Sequence, residues 1–169
     1  GSLIFNYLGH SSYNAISAEH SYSISQVQSI YNKIYPVWFA GSCNLSQYDD
    51  FRSSFGEEIM LNPNGGAIAS IGAVRTAYAS PNLSLSKDFL RQAFNPDNEY
   101  RLGKIYRACK TARGQDSNKM VYILLGDPGL KLKVPELNLV IDSIVVLNTD
   151  GTAVKSDSHP KIEIRWLDQ

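Results

Sequence analysis

Two residues combine a reactive side chain with a setting that could use it. Cys43 follows Val37-Trp38-Phe39-Ala40-Gly41-Ser42, and His10 follows Leu3-Ile4-Phe5-Asn6-Tyr7-Leu8-Gly9. Each follows a short apolar run and a glycine. A thiol attacks carbonyls only as thiolate, so it needs a base or a cation beside it. An imidazole is the usual base. The chemistry such a pair could do is nucleophilic attack on a carbonyl. Each residue also has a plain reading, Cys43 as a small buried hydrophobe and His10 as a turn residue.

The remaining reactive side chains point elsewhere. Cys109 falls in the apolar stripe of a helix and reads as core, while His20 and His159 lie in polar stretches and read as surface. Asp49 and Asp50 could pair with His10, shape a pocket for a basic substrate, or cap the next helix. Glu57 and Glu58 read as a solvated helix face, and Asp127 before Pro128 as a turn. Ser11, Ser12, Ser42 and Ser46 raise a serine hydrolase. No G-x-S-x-G elbow accompanies them, and no acid and histidine follow in suitable order.

Buried strands must present the pair. Val37 to Ala40, bounded by Pro36 and Gly41, has the length and apolarity of a strand covered on both faces. Leu3 to Leu8 has the same build. Open α/β sheets place their chemistry at the C-terminal ends of parallel strands. Two such strands ending side by side would bring His10 and Cys43 together. Between them, Ile24, Val27, Ile30, Tyr31 and Ile34 are spaced as a helix that Ser23 or Ser25 could cap, giving a right-handed βαβ unit.

Past Cys43, Phe51, Phe55 and Ile59 recur every four residues on a second helix, ended by Asn62-Pro63-Asn64-Gly65-Gly66. Ala67 to Val74 reads as a third buried strand with small residues that permit close packing. A loop from Arg75 to Asn82 leads to a helix carrying Leu85, Phe89, Leu90 and Phe94, broken at Asn95-Pro96-Asp97-Asn98. A further helix from Tyr100 to Ala112 precedes a fourth buried strand, Val121 to Leu125. The order β-α-β-α-β-α-α-β predicts an α/β layered domain. From Pro135 the texture turns to β-branched runs, Leu139 to Val146 and Lys161 to Trp166, which predict antiparallel β in a second domain that the chain only begins.

Bulk composition narrows the function classes. The 169 residues are 43% hydrophobic, enough for a substantial core. The 16 basic and 16 acidic residues cancel, and no basic stripe points to nucleic acid. The two cysteines form no Cys/His cluster of metal-ligand spacing, so zinc is not expected. No stretch is long and apolar enough to span a membrane.

In combination and in this order, several motifs resemble one family. Asn6-Tyr7-Leu8-Gly9-His10, then Gly41-Ser42-Cys43 thirty-three residues after the histidine, then Phe55-Gly56-Glu57, are similar to the gingipain family of cysteine peptidases, in the caspase and legumain clan. Asp49-Asp50, Asn64-Gly65-Gly66-Ala67-Ile68-Ala69 and Arg75-Thr76 with Tyr78 resemble the branch containing the cell-surface sortase of the type IX secretion system. Leu125-Gly126-Asp127-Pro128 with Leu130 adds a further mark. The resemblance covers about residues 3 to 134.

That resemblance implies a caspase-like α/β/α domain over 1–134, lacking its N-terminal strands, and the beginning of an immunoglobulin-like domain over 135–169. It implies Cys43 as nucleophile, His10 as base, and an oxyanion hole from the backbone N–H groups of Ser11 and Cys43. Ala73, Arg75, Thr76 and Tyr78 would wall the pocket for the residue before the scissile bond. The substrates would be polypeptides, among them secreted proteins, met outside the cytoplasm. Relatives bind calcium, but no calcium loop is recognisable here and no cofactor is expected. The family's usual residue after the histidine is glycine. Ser11 keeps the N–H donor there, provided the turn does not demand a positive φ. Without upstream strands one sheet edge would be open, which predicts marginal stability or self-association. A non-catalytic scaffold with a degraded site is the alternative, and an intracellular caspase-like regulator a third reading.

Overall fold

The computed structural model describes residues 2–17 and 21–134. Residues 135–169 and His20 lie outside the described residues, and with them the expected second domain and His159. A four-stranded sheet runs through the described part in the order β1 (Ile4–Leu8), β4 (Val37–Gly41), β5 (Ala69–Ala73), β6 (Tyr122–Leu125). The first three strands are parallel and β6 is antiparallel to β5. A small antiparallel pair, β2 (Ala15–Ile16) and β3 (Tyr22–Ser23), lies in the connection after β1.

Alternation along β4 builds the three layers. Val37 and Phe39 face helices α3 (Ala79–Ala93) and α4 (Leu102–Thr111), where they pack with Leu85, Phe89, Leu102, Ile105 and Cys109. Trp38 and Ala40 face the other way, onto Val27, Phe55 and Ile59 from α1 (Ile24–Val27) and α2 (Phe55–Leu61). A strand covered on both faces must be apolar throughout, and every residue of β4 is buried. The predicted α/β/α layering is therefore the observed fold.

Small residues on β5 admit a close neighbour, as their run in the sequence predicts. A Cβ on Gly72 or on Gly56 would come within 2.5 Å of Ser46 Oγ. The turn after Cys43 thus packs directly on the sheet. Ser54 opens α2 with a capping box, its hydroxyl and N–H both bonded to Glu57. Glu57, expected on a solvated face, is half of that cap, and Phe51 lies outside the helix at 95% exposure.

Four expectations change. The fourth strand, expected to be buried over Val121 to Leu125, is Tyr122–Leu125, an edge strand among the described residues in which only Tyr122 is buried. The crossover helix predicted over Ile24 to Ile34 is a single turn. Its later carbonyls are taken by a different element, because Asn62 Nδ2 donates to Val27 O at 2.8 Å and to Ile30 O at 3.0 Å. Tyr31 and Ile34 are left exposed. The strand at Leu3 to Leu8 is not buried on both faces: Phe5 and Leu8 are 38% and 42% exposed, and β1 has one neighbour among the described residues. Finally, α3 begins at Ala79, inside the stretch predicted as loop.

Candidate active site

The parallel pairing of β1 and β4 runs Ile4↔Val37 through Leu8↔Gly41, a constant offset of thirty-three residues. That is also the spacing of His10 and Cys43. His10 and Cys43 each stand two residues past the C-terminal end of one of these two adjacent strands. Gly9 N–H still donates to Gly41 O at 3.3 Å, so the pairing extends one residue past β1, whereas Ser42 N–H turns back to Ala40 O at 3.0 Å.

The turn that carries the histidine is bound on both sides. Tyr7 donates its hydroxyl to His10 O at 2.7 Å and receives the Ser17 N–H at 3.1 Å. Ser17 N–H also reaches His10 O, and Ser12 N–H reaches Ala15 O, which makes Ser11 and Ile16 a non-hydrogen-bonded antiparallel pair. Ser11 N–H therefore points away from that pairing, and neither it nor the Cys43 N–H donates to another described residue. Ser11 has no positive φ, so serine fits where relatives use glycine. Its hydroxyl donates to the Cys43 carbonyl, tying the two turns together. The imidazole of His10 is exposed.

Cys43 is half-buried at the head of a turn clamped to β5 and the loop after it. Asn44 N–H donates to Arg75 O at 3.2 Å and Ser46 N–H to Ala73 O at 3.0 Å. Asn44 has φ +56°, a left-handed conformation that asparagine accepts more readily than most residues. The thiol itself rests on Ala77: Sγ donates to Ala77 O and accepts from Ala77 N–H, both at 3.4 Å. Among the described residues it makes no hydrogen bond to His10.

The predicted pocket residues separate. Ala73 is fully buried in the core and supports the loop from beneath. Arg75, Thr76 and Tyr78 are exposed above it. Arg75 holds Asp49 through two hydrogen bonds of 2.9 and 2.5 Å, so its charge is matched. That guanidinium draws the Asp49 carboxyl below its ordinary value and is itself held further charged. Asp50 pairs instead with Arg52, which stacks 4.0 Å over the Tyr13 ring. Neither acid meets His10 or caps a helix, because Ser54 has that place. Asp127 accepts from Gly129 N–H in a turn, as expected. Cys109 is core, and burial pushes its thiol up to about 12.

The model of peptidase family C25 matches residues 1–133. The chain belongs to that family, the gingipain family. Among solved structures it is similar to the Arg-specific cysteine proteinase gingipain R (RGPB), with 22% identity and a TM-score of 0.66. That match covers 78% of this chain and 34% of the other. A chain described as a protease is 19% identical, with TM-score 0.69 over 90% of this chain and 45% of that one. The complex of the Porphyromonas gingivalis RgpB pro- and mature domains gives 19% identity and TM-score 0.65, covering 92% and 46%. These likenesses establish the caspase-like fold. The chain spans less than half the length of each of these relatives. No curated protein matches it.

One contributor to the candidate site carried no signal of its own in the sequence. Ala77, the thiol's partner, lies inside the stretch read as pocket wall, but alanine advertises nothing. Tyr7 stood in the motif before His10, but nothing in the sequence showed that its hydroxyl would bind the His10 carbonyl.

Proposed function

We propose that the chain carries the catalytic dyad of a cysteine endopeptidase, with Cys43 as nucleophile and His10 as base. The observation that supports this best is the shared offset, strand register and dyad spacing being the same thirty-three residues. In the reaction His10 takes the thiol proton and Sγ attacks the scissile carbonyl. The oxyanion is received by the Ser11 and Cys43 N–H groups, which are without partners among the described residues. His10 then protonates the departing amine, leaving a thioester on Cys43. Water releases an acid from it, or an incoming amine releases a new peptide; the second course is the sortase-like one. Arg75, Thr76 and Tyr78 line the pocket, carried by Ala73. The substrates are polypeptides, secreted proteins in particular, and the setting is extracytoplasmic, at the surface of a bacterium with type IX secretion. Residues 1–134 belong to the catalytic domain.

The contact of the thiol with Ala77 rather than His10 favours a second reading, a peptide-binding scaffold that does not cut. A peptidyl chloromethyl ketone separates them. The peptidase forms a covalent adduct on Cys43, slowed by His10→Ala and read by peptide mass. Absence of an adduct at concentrations where the peptide binds supports the scaffold.

A further inference from the structure

One buried side chain takes both polar backbone groups of Tyr78. Tyr78 N–H donates to Asn118 Oδ1 at 2.9 Å, and Asn118 Nδ2 donates to Tyr78 O at 2.8 Å. The amide therefore acts as a strand partner would, where the chain has left β5 and not yet entered α3. The second Nδ2 hydrogen goes to Asn82 Oδ1 at 2.7 Å, an atom that also receives the Tyr122 hydroxyl at 2.7 Å. Asn118 is held in turn, its own N–H donating to Asp116 Oδ1 at 2.8 Å. Asn118, Asn82 and Tyr122 are all buried, so the bonds among these three are sheltered from water and costly to lose, while the bonds to Tyr78 are part-buried and Tyr78 O also accepts from Asn82 N–H at 3.0 Å.

The Tyr78 N–H and the Ala77 carbonyl belong to one planar peptide unit. On one side that unit meets Asn118, and on the other its oxygen receives the thiol of Cys43. We propose that Asn118 is a positioning residue for Cys43, fixing the Ala77–Tyr78 peptide plane on which Sγ rests and from which the pocket residue Tyr78 projects. This rests on the reading of Cys43 as nucleophile.

The test uses the full chain with Asn118→Ala and, should that variant not fold, Asn118→Ser. Asn98→Ala is the comparison, since Asn98 is also buried and bonds Gln92 O at 2.9 Å in a different segment. Hydrogen exchange at the Tyr78 amide and iodoacetamide labelling of Cys43 at pH 7 are measured, with Cys109 reporting global opening. Without Asn118 the Tyr78 amide exchanges at least about tenfold faster relative to Ile71, the scale of one lost hydrogen bond. Cys43 labels about tenfold more slowly while Cys109 stays protected. Asn118→Asp keeps the acceptor and retains Tyr78 protection. A Cys43 rate equal to or faster than wild type, or a change that Asn98→Ala reproduces, overturns the proposal. If wild-type Cys43 labels as an ordinary thiol, the nucleophile reading fails, and the Tyr78 amide alone then decides whether Asn118 pins the loop.

Discussion

At the scale of single residues, the proposed site is a thiol and an imidazole that follow adjacent strands, with a serine where glycine is usual. Ser11 has no positive φ, and its hydroxyl donates to the Cys43 carbonyl. Ser11→Gly should therefore leave peptide-adduct formation within about threefold of wild type, whereas His10→Ala should lower it by about a hundredfold or more. Asp49 and Asp50 both contribute a pH dependence on this face, Asp49 through Arg75 and Asp50 through Arg52. The Asp49 carboxyl is drawn down by Arg75 in the folded chain, so its contribution is complete above the ordinary carboxylate range, near pH 4, and lost as pH falls through the depressed folded value. The acid limb of a Tm-against-pH curve should therefore be shallower in Asp49→Asn, and an unchanged limb would show that the Asp49–Arg75 pair contributes nothing.

Element boundaries follow local chemistry more closely than apolar spacing. The strand Val37–Gly41 was legible because continuous apolar residues between Pro36 and Gly41 permit little else. Phe51 and Ile34 fit helical spacing yet lie outside helices, since Ser54 and Asn62 set where helices begin and where carbonyls find partners. No sequence pattern shows that an asparagine thirty-five residues away, Asn62, will claim Val27 O. Ser54→Ala should cost about 1 kcal/mol in urea unfolding, the usual worth of an N-cap. Gly66→Ala should cost more, at least about 2 kcal/mol. Gly66 has φ +97°, and a Cβ there would lie 1.9 Å from Ile59 O.

At the scale of the sheet, β1 and β6 are both edge strands among the described residues, and β1 is the more apolar and exposed of the two. Central strands β4 and β5 are wholly buried, whereas β1 has one partner and half-exposed Phe5 and Leu8 among the described residues. Phe5 stacks on Trp38 at 4.1 Å, which makes this edge apolar as well as unpaired. Such an edge templates strand addition. Sedimentation of the chain should show concentration-dependent association, relieved by Leu8→Lys. A monomer with a cooperative melt at all concentrations would contradict this. The antiparallel direction of β6 was beyond sequence reasoning, because an apolar strand reads the same whichever way it runs.

The central claim is that register brings His10 beside Cys43 and activates its thiol. The most direct test is the labelling rate of Cys43 by iodoacetamide from about pH 5 to 9, with Cys109 as the unreactive internal control. A free thiol titrates near 8.5. The account predicts fast labelling of Cys43 already at pH 6, abolished in His10→Ala, while Cys109 stays silent. Labelling that follows an ordinary thiol profile and ignores the His10 substitution would contradict it.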